Sequence, residues 1–389
     1  MTSVLIVAGE NSGEQYGAGL VRAVRRIRTG VRFFGIGGRE MDRAGVEILH
    51  RLEDLAVVGV FEVLSRLPRL RGIFRSLVAE AQVRRPAAAV LIDSPDFNLR
   101  LAKKLKAAGV PVLYYVSPTV WAWRRGRLKT IRRAVSRMLL IFPFEQALYD
   151  RAGISATYVG HPLSEYLTVR RPRERFLRSH GLNPRHKLVA VLPGSRKGEV
   201  ERHMSVLTRG LALLKARMPL NVLFVLAENL DPQILSERLP PGLKDANIVS
   251  RNRYEALAAA DLVLSACGTA NLEAAMLGRP LVTFYRISPL TYFFGRRLVR
   301  INRFSIVNIL AGRDVVPELI QTGFTPEAVC DRALEVLTDA GIRKTMDSEF
   351  RRLRKMMGRK KPSLAAAREL GKLLDAAEPS RLRAEEPTA

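Results

Sequence analysis

The feature of this chain that most restricts its fold is an alternation of short apolar runs with longer helical patterns. Runs rich in Val, Ile and Leu are followed by a polar loop and then by a stretch in which apolar residues have helical spacing. This alternation is typical of parallel sheets that are covered by helices on both faces. The predicted strands are Ser3–Val7, Val31–Gly35, Ala88–Ile92, Pro111–Val116, Arg137–Ile141, Thr157–Val159, Leu188–Leu192, Val222–Leu226, Asn247–Ser250, Asp261–Ser265 and Pro280–Phe284.

A basic stretch that is poor in strand signals, Thr168–Lys187, separates the first six of these strands from the last five. A chain of 389 residues is also too long for one ordinary core, so two α/β domains are predicted. We expect domains at residues 1–165 and 166–342, helices at 343–377 that pack back on the first domain or on a partner subunit, and a disordered tail at 378–389. Two doubly wound sheets of this kind are expected to bind ligands at the carboxyl ends of their strands, across a central cleft.

The formal net charge of +27 indicates an anionic partner, which could be nucleic acid, a membrane surface or a phosphorylated substrate. The positive residues are spread along the chain, without a basic tail or a zinc-finger motif, and an Arg-biased genome would give the same composition. The stretch Val60–Arg75 interleaves apolar residues with arginines, which fits either docking at an anionic membrane or an ordinary helix with a solvated face. Charge alone therefore does not distinguish these partners.

The low cysteine content favours a compartment in which thiols stay reduced. Two cysteines, Cys267 and Cys330, are too few for a disulfide framework or a zinc site, and they are interpreted as thiols of a cytosolic protein. The first residues are interpreted as a strand and its loop, not as a signal peptide. No window of eighteen residues lacks charge, so no membrane-spanning helix is expected.

In the first domain, Asp93 follows an apolar strand directly, where a partly desolvated carboxylate can accept a proton from a hydroxyl group. Asp96 is interpreted as a cap of the next helix. The first loop contains Glu10, Ser12 and Gly13 and can approach an anion or a polar substrate group, although it lacks the glycine spacing of a dinucleotide-binding loop.

Both tryptophans follow the predicted strand Pro111–Val116. Trp121, Trp123 and Arg124 form either a packed aromatic corner or part of a site for a sugar or an acyl phosphate. His161 lies at the predicted seam, and a substrate or hinge contact and a hydrogen-bonded structural role are both open.

In the second domain, two strand-to-helix loops predict an anion site. Gly194, Ser195 and Arg196 precede a helix whose N-terminal N–H groups can hold a diphosphate, with no P-loop ending that would indicate ATP hydrolysis. Further on, Gly268 and Thr269 open another helix, and Glu273 can accept hydrogen bonds from both hydroxyls of a ribose. No pair of acidic residues accompanies the anion loops, so no metal and no cofactor are expected.

Taken in order, these residues resemble the lipid-A-disaccharide synthase family over nearly the whole chain. The matching stretches begin at Ala8, Ile92, Tyr115, Phe142, Val159, Leu192, Gly268 and Asn308, and read AGENSG, IDSPDFN, YVSPTVWAWR, FPFE, VGHPL, LPGSR, GTANLE and NILAGR. Each stretch alone would be a weak signal, whereas their shared order makes the resemblance strong.

The resemblance implies an inverting glycosyltransferase of the GT-B fold. Its donor would be UDP-2,3-diacylglucosamine and its acceptor 2,3-diacylglucosamine 1-phosphate, joined by a β(1→6) linkage with release of UDP. It further implies that Asp93 is the general base on the acceptor hydroxyl, that Arg196 binds the diphosphate, and that Glu273 and Asn308 contact UDP. Peripheral association with the cytoplasmic membrane and a homodimer are also expected, and no nucleic acid.

The chain departs from the family pattern at a few positions. Glu14 replaces the usual Asp, Cys267 replaces the usual Ser, and Ile306-Val307 replace a common Leu-Pro. The alternatives that remain are a UDP-N-acetylglucosamine 2-epimerase or a related glycosyltransferase on the same fold, and a nucleic-acid-binding module supported by charge alone.

Overall fold

A computed structural model describes residues 2–55, 60–121, 124, 126–288, 302–358 and 360–385, with the backbone alone described at 60–66 and 378–385. The chain divides into two compact units. Unit 1 comprises Met1–Glu165 and Met357–Ala389, and unit 2 comprises Tyr166–Met356. The first boundary lies at the predicted seam, whereas the second lies at residue 356 and not at 342.

Unit 1 contains a seven-stranded parallel sheet with the order β3-β2-β1-β4-β5-β6-β7. Its central strands are fully buried on both faces, which explains their continuous apolar sequences. Strand β3 was not predicted, because it is an edge strand in which the polar residues Glu47, His50 and Arg51 interrupt the apolar pattern. The strands are β1 Thr2–Ala8, β2 Val31–Gly37, β3 Val46–Arg51, β4 Ala88–Ile92, β5 Val112–Tyr115, β6 Arg137–Leu140 and β7 Ala156–Tyr158.

The helices of unit 1 surround this sheet. The first seven are α1 Asn11–Ile27, α2 Arg39–Arg43, α3 Val60–Arg84, α4 Pro95–Ala107, α5 Arg127–Ala134, α6 Gln146–Arg151 and α7 Leu163–Tyr166, the last of which ends at the unit boundary. From Ile73 onward α3 contributes to the core of this unit.

Unit 2 contains a six-stranded parallel sheet with the order β10-β9-β8-β11-β12-β13. The strands are β8 Lys187–Leu192, β9 Leu220–Val225, β10 Asn247–Val249, β11 Leu262–Ala266, β12 Leu281–Tyr285 and β13 Glu318–Ile320. Its helices are α8 Arg173–Ser179, α9 Lys197–Arg217, α10 Gln233–Ser236, α11 Arg253–Ala259, α12 Thr269–Met276, α13 Ile306–Ala311, α14 Pro326–Thr338 and α15 Ala340–Met357. The short edge strand β13 was not predicted.

The C-terminal helical pattern requires two corrections. The predicted segment 343–377 is not one unit, because Met346, Phe350 and Leu353 of α15 are buried in the core of unit 2. After Gly358, which has a left-handed backbone, helix α16 (Pro362–Glu385) packs against α1 in unit 1.

The expected disordered tail is also wrong in part, because α16 continues to Glu385. The helix continues through Pro379, although a proline within a helix removes one backbone hydrogen bond and favours a kink. Within the described ranges, no helix is long and apolar enough to cross a membrane.

Candidate active site

The order of the unit 1 sheet reverses between β1 and β4, and this is the position at which doubly wound sheets bind ligands. The loop after β1 is shorter than expected: Glu10 lies in it, whereas Ser12 and Gly13 already belong to the first turn of α1. Asp93 lies directly after β4. Gly9 brings the two loops together, because a Cβ at this position would lie 2.0 Å from the Cβ of Ser94. The structure therefore places the predicted base and the predicted acceptor loop at the same sheet edge.

Asp93 has an unusual backbone. Its φ is +52° and that of Ser94 is +45°, so two successive non-glycine residues are left-handed. Such conformations cost about 1–3 kcal/mol each and persist where the surroundings fix them. Here the Asp93 N–H donates to the Tyr115 oxygen at 3.0 Å, and the Asp93 oxygen accepts from Tyr114 Oη at 2.6 Å. A third bond reaches the same oxygen from Asn98 Nδ2 at 2.8 Å. The backbone of the half-buried Asp93 is thus held in a fixed place.

The interpretation of Asp96 as a helix cap is wrong. Ser94 occupies the N-cap position of α4, without a side-chain cap, and the exposed Asp96 carboxylate pairs with Arg124, 2.8 Å away, and with Arg127. The dipole of α4 favours a carboxylate in its first turn without a capping hydrogen bond. The Asp96 carboxylate can therefore bind the two arginines instead. These ion pairs anchor the loop that follows β5 beside the start of α4.

Glu14, which departs from the family pattern, contacts the loop after β2. Its carboxylate accepts a hydrogen bond from the Glu40 N–H at 2.8 Å and lies against Gly38. Burial raises the pKa of Glu14, and the backbone hydrogen bonds from Glu40 and Met41 oppose this rise. The side chain therefore stabilises the start of α2.

A row of aromatic rings follows the same sheet edge. It includes Tyr16, which sequence reasoning did not mention, and Tyr115, Phe142 and Phe144, which it noted only within matching stretches. Consecutive ring centroids are 5.3 to 6.2 Å apart. Phe144, the neighbour of Trp121 at the end of the row, is 40% exposed. Trp123 lies outside the described residues, so Trp121 alone tests the predicted tryptophan pair. In order, the row is Tyr115, Tyr16, His161, Phe142, Phe144 and Trp121.

Two buried ionisable groups lie within this row. His161 is 3% exposed, its Nδ1 accepts a hydrogen bond from the Leu163 N–H at 3.1 Å, and burial lowers its pKa to about 3. Of its two possible roles, the geometry supports the structural one. Glu145 accepts a hydrogen bond from the Phe142 N–H at 3.2 Å, and burial raises its pKa to about 7.

The order of the unit 2 sheet reverses between β8 and β11, and the two predicted anion loops follow these strands. Gly194, Ser195 and Arg196 lead directly into the N-terminus of α9, a helix of 21 residues whose first turn points N–H groups and the positive end of its dipole toward the loop. Gly194 has a φ of +146°, and a Cβ there would lie 2.6 Å from the Cβ of Glu199. The loop is therefore packed tightly on Glu199, a residue that sequence reasoning noted only as a helix start.

The loop after β11 is fixed by a buried asparagine. Asn271 Nδ2 donates to the Ala266 oxygen at 3.1 Å, and its Oδ1 accepts from the Gly268 N–H at 3.4 Å. Thr269 then begins α12. Burial raises the pKa of the neighbouring Cys267 thiol to about 12, so this residue is a neutral thiol at physiological pH.

Glu273 is buried in α12 and forms an ion pair with Arg253 at the start of α11. Burial raises the pKa of Glu273, and the charge of Arg253 opposes this rise. The pair holds the carboxylate in one orientation, as recognition of ribose hydroxyls would require. Arg253 is a residue that the sequence did not single out.

Asn308 lies in α13 with its side chain fully used by the protein. Its Oδ1 accepts from the N–H groups of Val315 and Val316, and its Nδ2 donates to the Val316 oxygen and to Glu318 at 2.8 Å. The predicted contact of Asn308 with UDP stays a prediction. The observed hydrogen bonds show that its side chain holds the segment Val315–Val316, which leads into β13, in place.

Comparison with known proteins identifies the same family as the ordered stretches of the sequence do. A family model described as lipid-A-disaccharide synthetase matches residues 4–368. A lipid-A-disaccharide synthase of Syntrophus aciditrophicus is 42% identical over 360 residues, covering 91% of this chain and 93% of the relative. That of Myxococcus xanthus is also 42% identical and covers 97% and 98% of the two chains. The chain belongs to the lipid-A-disaccharide synthase family. It is accordingly a glycosyltransferase, as the resemblance implied.

Solved structures support the fold. The calicheamicin glycosyltransferase CalG4 superposes with a TM-score of 0.62 at 16% identity, covering 96% of this chain and 98% of CalG4. A UDP-GlcNAc 2-epimerase from Neisseria meningitidis gives 0.63 at 12% identity, covering 96% of this chain and all of the epimerase. The predicted GT-B class is confirmed, and the family match excludes the epimerase alternative that shares this fold.

Proposed function

We propose that this protein transfers 2,3-diacylglucosamine from UDP-2,3-diacylglucosamine to the 6-hydroxyl of 2,3-diacylglucosamine 1-phosphate. The products are UDP and a β(1→6)-linked disaccharide 1-phosphate, with inversion at the donor's anomeric carbon. The observation that carries the proposal is the position of Asp93, because a strained and hydrogen-bonded backbone holds this acidic residue directly after β4, at the carboxyl edge of the unit 1 sheet.

Asp93 acts as the general base. The acceptor hydroxyl attacks the anomeric carbon, its proton passes to the Asp93 carboxylate, and the bond from that carbon to the UDP oxygen breaks. Proton transfer to a positioned carboxylate contributes about 10²- to 10⁴-fold to such reactions. A residue with a fixed backbone suits this role because little reorganisation is needed as the reaction proceeds.

The loops of unit 2 stabilise the leaving UDP. The N–H groups at the start of α9 and the Arg196 guanidinium bind the diphosphate, on which negative charge increases as the bond breaks. Gly268 and Thr269 supply a second helix N-terminus, and Glu273, oriented by Arg253, accepts the ribose hydroxyls. Gly194 permits the close approach of the loop.

The reaction is proposed to be metal-independent. Among the residues that the structure describes, no group of three or more His, Cys, Asp or Glu side chains is arranged to hold a metal ion. Activity that survives complete chelation with EDTA is the expected result. A loss that Mg²⁺ restores would contradict metal independence.

The protein is proposed to work at the cytoplasmic face of an anionic membrane. The net charge of +27 supports this, because each basic residue near an anionic surface contributes about 1 kcal/mol, and both substrates carry acyl chains. We expect the protein to sediment with phosphatidylglycerol vesicles, not with phosphatidylcholine vesicles, and to be released by salt. A homodimer is a further expectation, which light scattering tests.

The decisive experiment measures UDP release from UDP-2,3-diacylglucosamine in detergent, with and without the acceptor. Release should depend on the acceptor and should fall by about 10²-fold or more in Asp93→Asn. Asp375→Asn is the control. It removes an exposed carboxylate of helix α16, which forms an ion pair with Arg28. Acceptor-dependent release that survives in Asp93→Asn would keep the reaction and exclude Asp93 as its base.

A further inference from the structure

Two buried side chains of α9 connect the loop Pro193–Arg196 to the end of β12. The first is Glu199. Its Oε2 accepts a hydrogen bond from the Ser195 N–H at 3.0 Å, and its Oε1 accepts from Arg196 Nη1 at 3.1 Å. The same Oε1 accepts from the hydroxyl of Tyr285, the last residue of β12, at 3.0 Å. One carboxylate thus joins the loop to a strand two positions away in the sheet.

The second side chain is His203, which lies one helical turn after Glu199. Its Nδ1 is 2.6 Å from the Pro193 oxygen, and its Nε2 accepts a hydrogen bond from the Arg286 N–H at 3.1 Å. The Pro193 oxygen can only accept, so Nδ1 carries a proton and donates to it. Burial lowers the pKa of His203, so the ring is neutral and Nε2 is the acceptor, although the Arg286 oxygen also lies 3.2 Å away. His203 therefore joins the start of the loop to the residue after β12.

These contacts are more than a helix needs for its own N-terminus. A capping interaction accounts for the bond between Glu199 and the Ser195 N–H. It does not account for the bonds to Arg196 and Tyr285, or for those of His203. A buried carboxylate beside a diphosphate site would also repel the ligand, unless its negative charge is paired with a cation and hydrogen-bond donors. Glu199 has such partners, because it accepts from the Arg196 guanidinium, the Ser195 N–H and the Tyr285 hydroxyl.

We infer that Glu199 and His203 are positioning residues that fix the diphosphate-binding loop through the C-terminal end of β12. They act through Ser195 and Arg196 and do not themselves touch the substrate. The inference rests on the proposed function, since the loop must bind the diphosphate of the donor. It extends that function to Tyr285, whose hydroxyl connects the loop to the second half of the sheet.

The test compares the affinities of the whole protein for UDP and for uridine, which lacks the diphosphate. In Glu199→Gln the UDP affinity should fall about tenfold or more, because a carboxamide cannot accept all three hydrogen bonds. The uridine affinity should stay the same. Tyr285→Phe should lower the ratio of UDP to uridine affinity about threefold, while the capping bond to Ser195 remains intact.

Glu201→Gln is the matched control, because Glu201 lies in the same helix on an exposed face and pairs with Arg238. The ratio of UDP to uridine affinity in Glu201→Gln should equal that of the wild type. If Glu199→Gln lowers the unfolding temperature but leaves the ratio unchanged, the residue is a cap and the inference is overturned. An unchanged ratio in Tyr285→Phe would overturn the connection to β12. A wild-type protein that binds UDP no better than uridine would instead overturn the proposed function.

Discussion

The hydroxyl of Tyr114 donates a hydrogen bond of 2.6 Å to the backbone oxygen of Asp93. Tyr114 lies in β5 and Asp93 directly follows the neighbouring strand β4, and the bond stabilises the left-handed backbone at Asp93. Burial and the nearby charge of Asp93 raise the pKa of Tyr114 well above its usual value. The phenol therefore stays protonated and remains a donor at any physiological pH.

Replacing Tyr114 with Phe removes this donor without changing the shape of the core. The free energy of unfolding should fall by about 1 kcal/mol, the usual net value of one hydrogen bond. The kcat should fall about tenfold or more, because Asp93 loses its fixed position. The KM for the UDP-sugar should not change, since the UDP loops belong to unit 2. Steady-state kinetics and urea unfolding measure these quantities.

Tyr158→Phe is the control for this prediction. The Tyr158 hydroxyl donates to the Met357 oxygen at 2.9 Å, so the variant loses a similar bond elsewhere in unit 1. Its kcat should stay within about twofold of the wild type. Equal losses of kcat in the two variants would show that the Tyr114 bond contributes stability alone.

Gly9→Ala should separate the acceptor loop from the Asp93 loop. The added methyl group would lie 2.0 Å from the Cβ of Ser94, so one of the two loops must move. A displacement of this size at a reacting group costs about 10²-fold in rate. Gly371→Ala has no atom within 4 Å of its new Cβ and lies in helix α16, so it should be neutral or stabilising. Normal activity in Gly9→Ala would contradict the juxtaposition of the loops.

Asn308→Ala should be strongly destabilising. The substitution leaves the buried N–H groups of Val315 and Val316 without an acceptor and removes one of the two hydrogen bonds to Glu318 Oε1, at a cost of about 2–4 kcal/mol in unfolding free energy. Calorimetry of the ligand-free protein measures this loss. An undisturbed unfolding temperature combined with weaker UDP binding would instead assign Asn308 to the ligand, as the family resemblance implies.

His161 should make the protein sensitive to acid. Its pKa is about 3 in the folded chain and 6.5 without burial, so between these values the unfolded chain binds a proton that the folded chain does not. The contribution of neutral His161 is complete above pH 6.5 and is lost as the pH falls toward 3, by on the order of a few kcal/mol.

His161→Asn is the comparison, because its side-chain oxygen can accept the hydrogen bond from the Leu163 N–H. The difference in unfolding free energy between the variant and the wild type should shrink as the pH is lowered through this range. Buried carboxylates such as Glu145, whose raised pKa has the opposite effect, are present in both proteins and cancel in the difference. A difference that is constant with pH would contradict the assignment of the titration to His161.

The sequence alone determined the parallel sheets and the loops that carry chemistry. Buried parallel strands must be apolar along their whole length, and the residue after such a strand lies at the binding edge, so Asp93 and Arg196 could be selected from one sequence. The edge strands β3 and β13 escaped prediction because polar residues interrupt the first and the second is only three residues long.

The tertiary structure alone decided how these residues are held. Glu199, His203 and Tyr285 are separated by as many as 86 positions, and no local pattern shows that they meet around one loop. The partners of Asn308 could not be read from a local pattern either. The family pattern assigns this residue to UDP, whereas its side-chain amide hydrogen-bonds the segment that leads into β13 and Glu318 within that strand. Local propensity and burial are encoded in short stretches of sequence, whereas the partner of a buried polar group depends on which distant segments pack together. The strand ends could therefore be predicted, and the network that fixes them could not.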